Sequence, residues 1–240
     1  MKKIIFYTII VLMTATGCRG VFGKRIRGNG NVTTQTRSLS GFNKIDVGGA
    51  IKVYVKQDSN SSVKVETDEN LITYVETTIE NGTLHIHEAN GVNLKSSRGV
   101  KVYVSGPEFT YFEASGACNI YSENQINASG KISVDLSGAC DIEMDVKAPQ
   151  IEAELSGAGT IKLKGETKDF EVRGSGSTDV KCFDLLTENT TVEISGAGDA
   201  QVSASVKLDV HVSGAGSVRY KGNPSVTQDV SGAGSVKKVD

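Results

Sequence analysis

The chain has 240 residues and a formal net charge of −2, with 27 glycines, three prolines and no tryptophan. With no basic stripe to neutralise phosphates, this balance excludes a dedicated nucleic-acid binder. Glycine exceeds its usual share of about 7%, and no internal segment carries a helical period, so the composition points to a β-rich body.

At the N-terminus Met1-Lys2-Lys3 is a short basic start, Ile4 to Met13 is apolar but too short to span a bilayer as a stable helix, and Ala15-Thr16-Gly17 supplies small residues before Cys18. Residues 1–17 therefore read as an export signal. The cysteine directly after the small residues resembles a bacterial lipoprotein signal, which implies lipidation of Cys18 and a membrane anchor. Residues 18–36 are polar and glycine-containing, the composition of a flexible spacer.

Residues 37–110 carry alternating apolar residues without a fixed period. Ile45, Val47 and the Gly48-Gly49 corner precede Ile51-Lys52-Val53-Tyr54-Val55, and Asn81-Gly82 is a hairpin-type turn between Thr78-Ile79-Glu80 and Thr83-Leu84-His85. This region is expected to be the cap, or the first irregular coils, of the array that follows.

Residues 111–240 hold the dominant signal. Ser-Gly-Ala-Gly or a near copy begins at Ser115, Ser137, Ser156, Ser175, Ser195, Ser213 and Ser231, at steps of 22, 19, 19, 20, 18 and 18 residues. Apolar residues alternate with polar ones on both sides of each copy, as in Ile132, Val134 and Leu136 before one and Ile142 and Met144 after it. Two half-buried strands joined by a glycine corner and repeated at this period predict an all-β, right-handed parallel β-helix with coils of about 18–22 residues.

Within that frame the fourth residue after each repeat serine should form an outer polar ladder that includes Asn119, Asp141, Asp179 and Asp199. Asp179 and Asp199 would be neighbours, close enough to serve acid–base chemistry or to hold a cation. The ladder reads as solvated turn residues beside glycine, so no catalytic residue is expected. His85 and His87 share a strand face but have no third ligand evident, and the glycine spacing does not fit calcium-binding repeats, so neither a metal nor a cofactor is expected. Cys118 and Cys140 occupy the same place in adjacent repeats, where they could bridge or simply be small buried residues. Cys182 falls at an inward position.

Three segments, Gly41-Phe42-Asn43-Lys44-Ile45-Asp46-Val47, Asn81-Gly82-Thr83-Leu84-His85-Ile86 and the Ser-Gly-Ala-Gly series, together resemble the auto-transporter adhesin family with a head GIN domain, exported proteins of Gram-negative bacteria. The resemblance covers about residues 37–240 and implies a fold similar to pectin-lyase-like solenoids, no catalytic residues and a role in adhesion. Surface-displayed lipoproteins of related bacteria often carry acidic residues after the lipidated cysteine, whereas Arg19, Lys24, Arg25 and Arg27 make this stretch basic, which keeps a periplasm-facing placement open. The expectation is a non-enzymatic lipoprotein of the cell envelope, held at the outer membrane through Cys18, that presents a repetitive polar surface to a protein or glycan, with self-association left open. The alternatives are a carbohydrate-active enzyme using the aspartate ladder and a periplasmic scaffold without an external ligand.

Overall fold

The computed structural model describes residues 23–239, in which two ladders of mostly parallel strands run along a solenoid and meet at the glycine corners. On the first face Lys44–Gly49, Tyr111–Gly116 and Lys131–Gly138 stack in turn, and residues 150–157, 169–176 and 189–196 continue the ladder to Lys207–Gly214 and Ser225–Gly232. On the second face Val100–Gly106, Ile51–Gln57 and Asn119–Ser122 lead through residues 141–148 and 160–167 to Asp179–Cys182, Asp199–Ser203, Ser217–Lys221 and Ser235–Lys238. The repeat itself sets the register, because each repeat serine from Ser115 to Ser231 lies directly across from the next.

The alternation read from the sequence is the core. Ile132, Val134 and Leu136, and their counterparts Ile151, Ala153, Leu155 and Leu208, Val210, Val212, are at most 3% exposed. Ile161 and Leu163 face them from the second ladder, while Lys162 and Lys164 point outward. Each coil buries its apolar side chains against its neighbours, and one cluster runs from Phe42 to Val218. Cys182 is fully buried, in register with Val202, and burial pushes its thiol up to about 12.

Glycine makes the corner possible. At Gly138 φ is +85°, and an added Cβ would lie 2.6 Å from the carbonyl oxygen of Gly116 in the coil beneath. That same oxygen accepts a 2.8 Å hydrogen bond from the Ala139 amide, and Ala158, Ser177, Ala197, Ala215 and Ala233 repeat the contact. The sheet hydrogen bonding therefore continues around the bend. Cys118 and Cys140 sit fully buried on the inner side of two such corners as free thiols, with the Cys118 amide donating to Cys140 Sγ at 3.4 Å.

The N-terminal part of the array holds both parallel and antiparallel strands. Lys44–Gly49 and Ile51–Gln57 form a regular coil, and antiparallel strands close the stack on the side away from the later coils: Val75–Glu80 on Thr83–Glu88, and Val32–Arg37 on Ser62–Asp68, which pairs with Val100–Gly106. Asn81 and Gly82 take φ of 51° and 77°, as a tight two-residue hairpin turn requires. The first corner has no coil beneath it, and the Glu88 carboxylate accepts from the Ala50 amide at 3.3 Å in place of the missing carbonyl.

Of the spacer expected over residues 18–36, the described part from residue 23 onward holds two strands. Lys24–Arg27 runs parallel to Val92–Lys95, and Val32–Arg37 is a paired strand. Their side chains are too polar to show an apolar alternation, so the order comes from backbone pairing and a buried carboxylate. Asp68 accepts from the Gly30 amide, the Ser96 hydroxyl, and the Ser97 amide and hydroxyl at 2.6–2.8 Å. Burial alone would raise its pKa, but these hydrogen bonds outweigh it and hold the carboxyl well below the ordinary range. Cys18 and the signal segment lie outside the described residues.

Candidate functional site

Two residues before each repeat serine, the first ladder carries an outward row that sequence reading passed over. In register it contains the acids Asp46, Glu113, Asp135, Glu154, Glu193 and Asp229, interrupted by Arg173 and His211 and headed by His85. Beside it runs the serine row, and from Glu113 to Asp229 the two rows border an open trough of about 560 Å³. Six inter-strand steps of about 4.8 Å make that stretch roughly 29 Å long.

The trough is acidic but organised. Arg173 sits at its middle and reaches Glu154 at 3.1 Å, Glu193 at 3.4 Å and Glu171 in close contact. The field of these carboxylates, Glu171 first, raises the guanidinium's pKa above its ordinary value. Toward the cap, the Tyr111 hydroxyl lies 2.5 Å from Asp135 and 3.2 Å from Glu113. Burial, followed by the Asp135 hydrogen bond, pushes the tyrosine far above its usual pKa, so it stays a neutral donor. Among the ion pairs of the described residues Glu113, Asp135 and Asp229 have no cationic partner and His211 no anionic one.

The ladder read from the sequence lies on the second face, beyond the Gly-Ala ridge from the trough. Asn119, Asp141, Thr160, Asp179 and Asp199 follow one another in register, and Asp179 stands directly beside Asp199. Their side chains take separate partners. Asp141 accepts from Asn119 at 3.3 Å and from the Thr160 amide at 3.1 Å, while Asp179 pairs with Lys181 at 3.2 Å.

A second cluster stands where the acidic row meets the cap. His85 pairs with Asp46 in register, and His87, two residues on, projects from the same face. His85 Nδ1 lies 2.7 Å from Asp46 Oδ2, and His87 Nε2 lies 3.3 Å from the same oxygen. The expectation that these histidines lack a third group does not hold, because Asp46 is 39 residues away in sequence, outside the repeat period. One donor atom from each residue falls within 4.8 Å of the others, a spacing compatible with a metal ion.

Comparison with known proteins agrees with the architecture. Residues 41–224 match the family described as "Putative auto-transporter adhesin, head GIN domain". A crystal structure of a "putative adhesin" from Bacteroides fragilis superposes with a TM-score of 0.83 at 19% identity, covering 89% of this chain and all of that one. Two structures from Parabacteroides distasonis, a "putative adhesin" and a "putative lipid binding protein", are each 26% identical, with TM-scores of 0.74 and 0.69, over 90% of this chain and all of theirs. No curated protein sequence matches the chain.

Proposed function

The chain belongs to the auto-transporter adhesin family with a head GIN domain, and from that premise we propose that it is a non-catalytic binding module of the cell envelope whose trough receives an extended basic segment of a protein partner. The observation that carries this reading is the acidic row. Five carboxylates, interrupted by Arg173 and His211, stand in register along one open surface, and the serines beside them offer both donors and acceptors. An extended cationic chain complements such a surface, since charge complementarity orients a ligand and speeds its capture.

A glycan is less well matched, because the residues lining the trough include no phenylalanine, tyrosine or tryptophan on which a sugar ring stacks. The relative named for lipid binding suggests another ligand class. Here, however, the coils are filled by their own side chains, and the carboxylate row would repel anionic head groups. Against use of the aspartate ladder in catalysis, Asp179 is engaged by Lys181 and Asp141 by Asn119 and the Thr160 amide. Lipidation at Cys18 would hold the module at the outer membrane, in keeping with an exported family.

The test is titration of the purified protein at low salt with deca-lysine, deca-glutamate and a neutral dextran. The reading expects binding of the basic peptide alone, weakening steeply as salt screens the exposed charges. Preference for deca-glutamate or dextran, or salt-independent binding, would sink it.

A further inference from the structure

We propose that Asp46, His85 and His87 form a site for one divalent transition-metal ion of the zinc class, at the capped end of the solenoid. This site stands independently of what the trough binds. Two imidazole nitrogens and one carboxylate oxygen are the borderline donor set that zinc and its neighbours prefer, whereas calcium and magnesium require oxygen-rich sites. Tetrahedral zinc with bonds of 2.0–2.1 Å needs ligand atoms about 3.3–3.4 Å apart. His87 Nε2 and Asp46 Oδ2 are already at 3.3 Å, and the His85–Asp46 pair at 2.7 Å would open slightly to admit the ion.

Placement favours the ion as well. All three ligands stand on paired strands, with His85 and Asp46 in direct register, so their spacing is fixed by the sheet. Their side chains are partly shielded, at 28%, 39% and 19% exposure for His85, His87 and Asp46, yet remain open to an entering cation. Within the described residues Asp46 pairs with no lysine or arginine. The register neighbour on its other side, Glu113, is engaged by the Tyr111 hydroxyl. The Asp46 carboxylate is therefore left to the two rings.

Gly48 supplies the second, independent observation. Every later coil places serine at this point of the row, but here a Cβ would lie 2.5 Å from His87 Nδ1. The missing side chain makes room for the ring that completes the donor set. Three ligands leave a fourth position for water, and Glu76 stands opposite His87 in register on the neighbouring strand. Once bound, the ion would tie Thr83–Glu88 to Lys44–Gly49 and stabilise the folded state by mass action.

The test is titration of the metal-stripped full chain with Zn²⁺ against a chromophoric chelator, alongside its thermal midpoint. One equivalent is expected to bind and raise the midpoint, with excess Ca²⁺ or Mg²⁺ failing to displace it. His85→Ala, His87→Ala and Asp46→Asn should each weaken binding at least about 10- to 100-fold, the loss that even an orienting outer-shell partner produces. Gly48→Ser should weaken it by crowding His87, and His211→Ala should leave it unchanged. No saturable step, or Zn²⁺ affinity insensitive to His85→Ala and His87→Ala, would overturn the proposal, as would displacement by Ca²⁺. Circular dichroism of the metal-free variants separates a lost ligand from a lost fold, and His87→Gln provides a second, less perturbing change.

Discussion

Replacing Gly138 by alanine tests the corner on which the solenoid turns. The left-handed backbone at φ +85° costs an L-residue about 1–2 kcal/mol. The new Cβ would also meet Gly116 O at 2.6 Å and Gly116 N at 3.2 Å. These are backbone atoms of the coil beneath and cannot rotate away, so overpacking adds about 1–3 kcal/mol. The total is about 2–5 kcal/mol, or roughly 4–20 °C of melting temperature for a chain of this size. Gly130→Ala is the internal control, because its Cβ meets nothing within 4 Å. It should be neutral or stabilise by up to about 1 kcal/mol through the unfolded chain. Thermal and denaturant unfolding of the two variants measure the difference, and equal midpoints would refute the stacking argument.

Ile161→Asp should bury an unpaired carboxylate in the shared core and unfold the array, whereas Lys162→Gln, which loses only the exposed pair with Glu143, should leave the denaturation midpoint unchanged. Asp68→Ala should cost about 1–3 kcal/mol, since it removes the buried acceptor of four hydrogen bonds that tie Gly30, Ser96 and Ser97 together. Because the Asp68 pKa is lowered on folding, its contribution is complete above the unfolded carboxyl value of about 3.9 and is lost as pH falls below it; Asp68→Asn should therefore show a shallower acid decline than the wild type in pH-dependent melting. Cys18→Ser should move the protein from the membrane fraction to the soluble envelope fraction, and unchanged membrane retention would contradict lipidation.

Much of the fold was legible because solenoid stacking turns a linear period into a register. Once Ser137 is placed on Ser115, every inward residue from Ile132 to Val212 follows. The trough was legible in principle, since Glu113, Asp135, Glu154, Arg173, Glu193, His211 and Asp229 recur two residues before each serine. Attention to the turn side of the repeat led instead to Asn119, Asp141, Asp179 and Asp199, which share an edge but no focus. The Asp46–His85–His87 cluster depends on a pairing between residues 44–47 and 83–86 that obeys no period. Only Gly48, standing where later coils carry serine, hinted that something fills that space. Val32–Arg37 escaped because its alternation is threonine and glutamine, held by backbone hydrogen bonds rather than by an apolar face.

The most direct test of the trough is the dissociation constant of deca-lysine for Glu154→Gln/Glu193→Gln compared with Asp141→Asn/Asp199→Asn, which removes the same charge from the opposite side of the ridge. An exposed ion pair contributes about 0.2–1 kcal/mol, so losing two in the trough should weaken binding between about two-fold and thirty-fold. The second-face pair should leave the constant unchanged. Equal weakening by both pairs, or weakening by the second-face pair alone, would contradict the assignment of the trough as the binding surface.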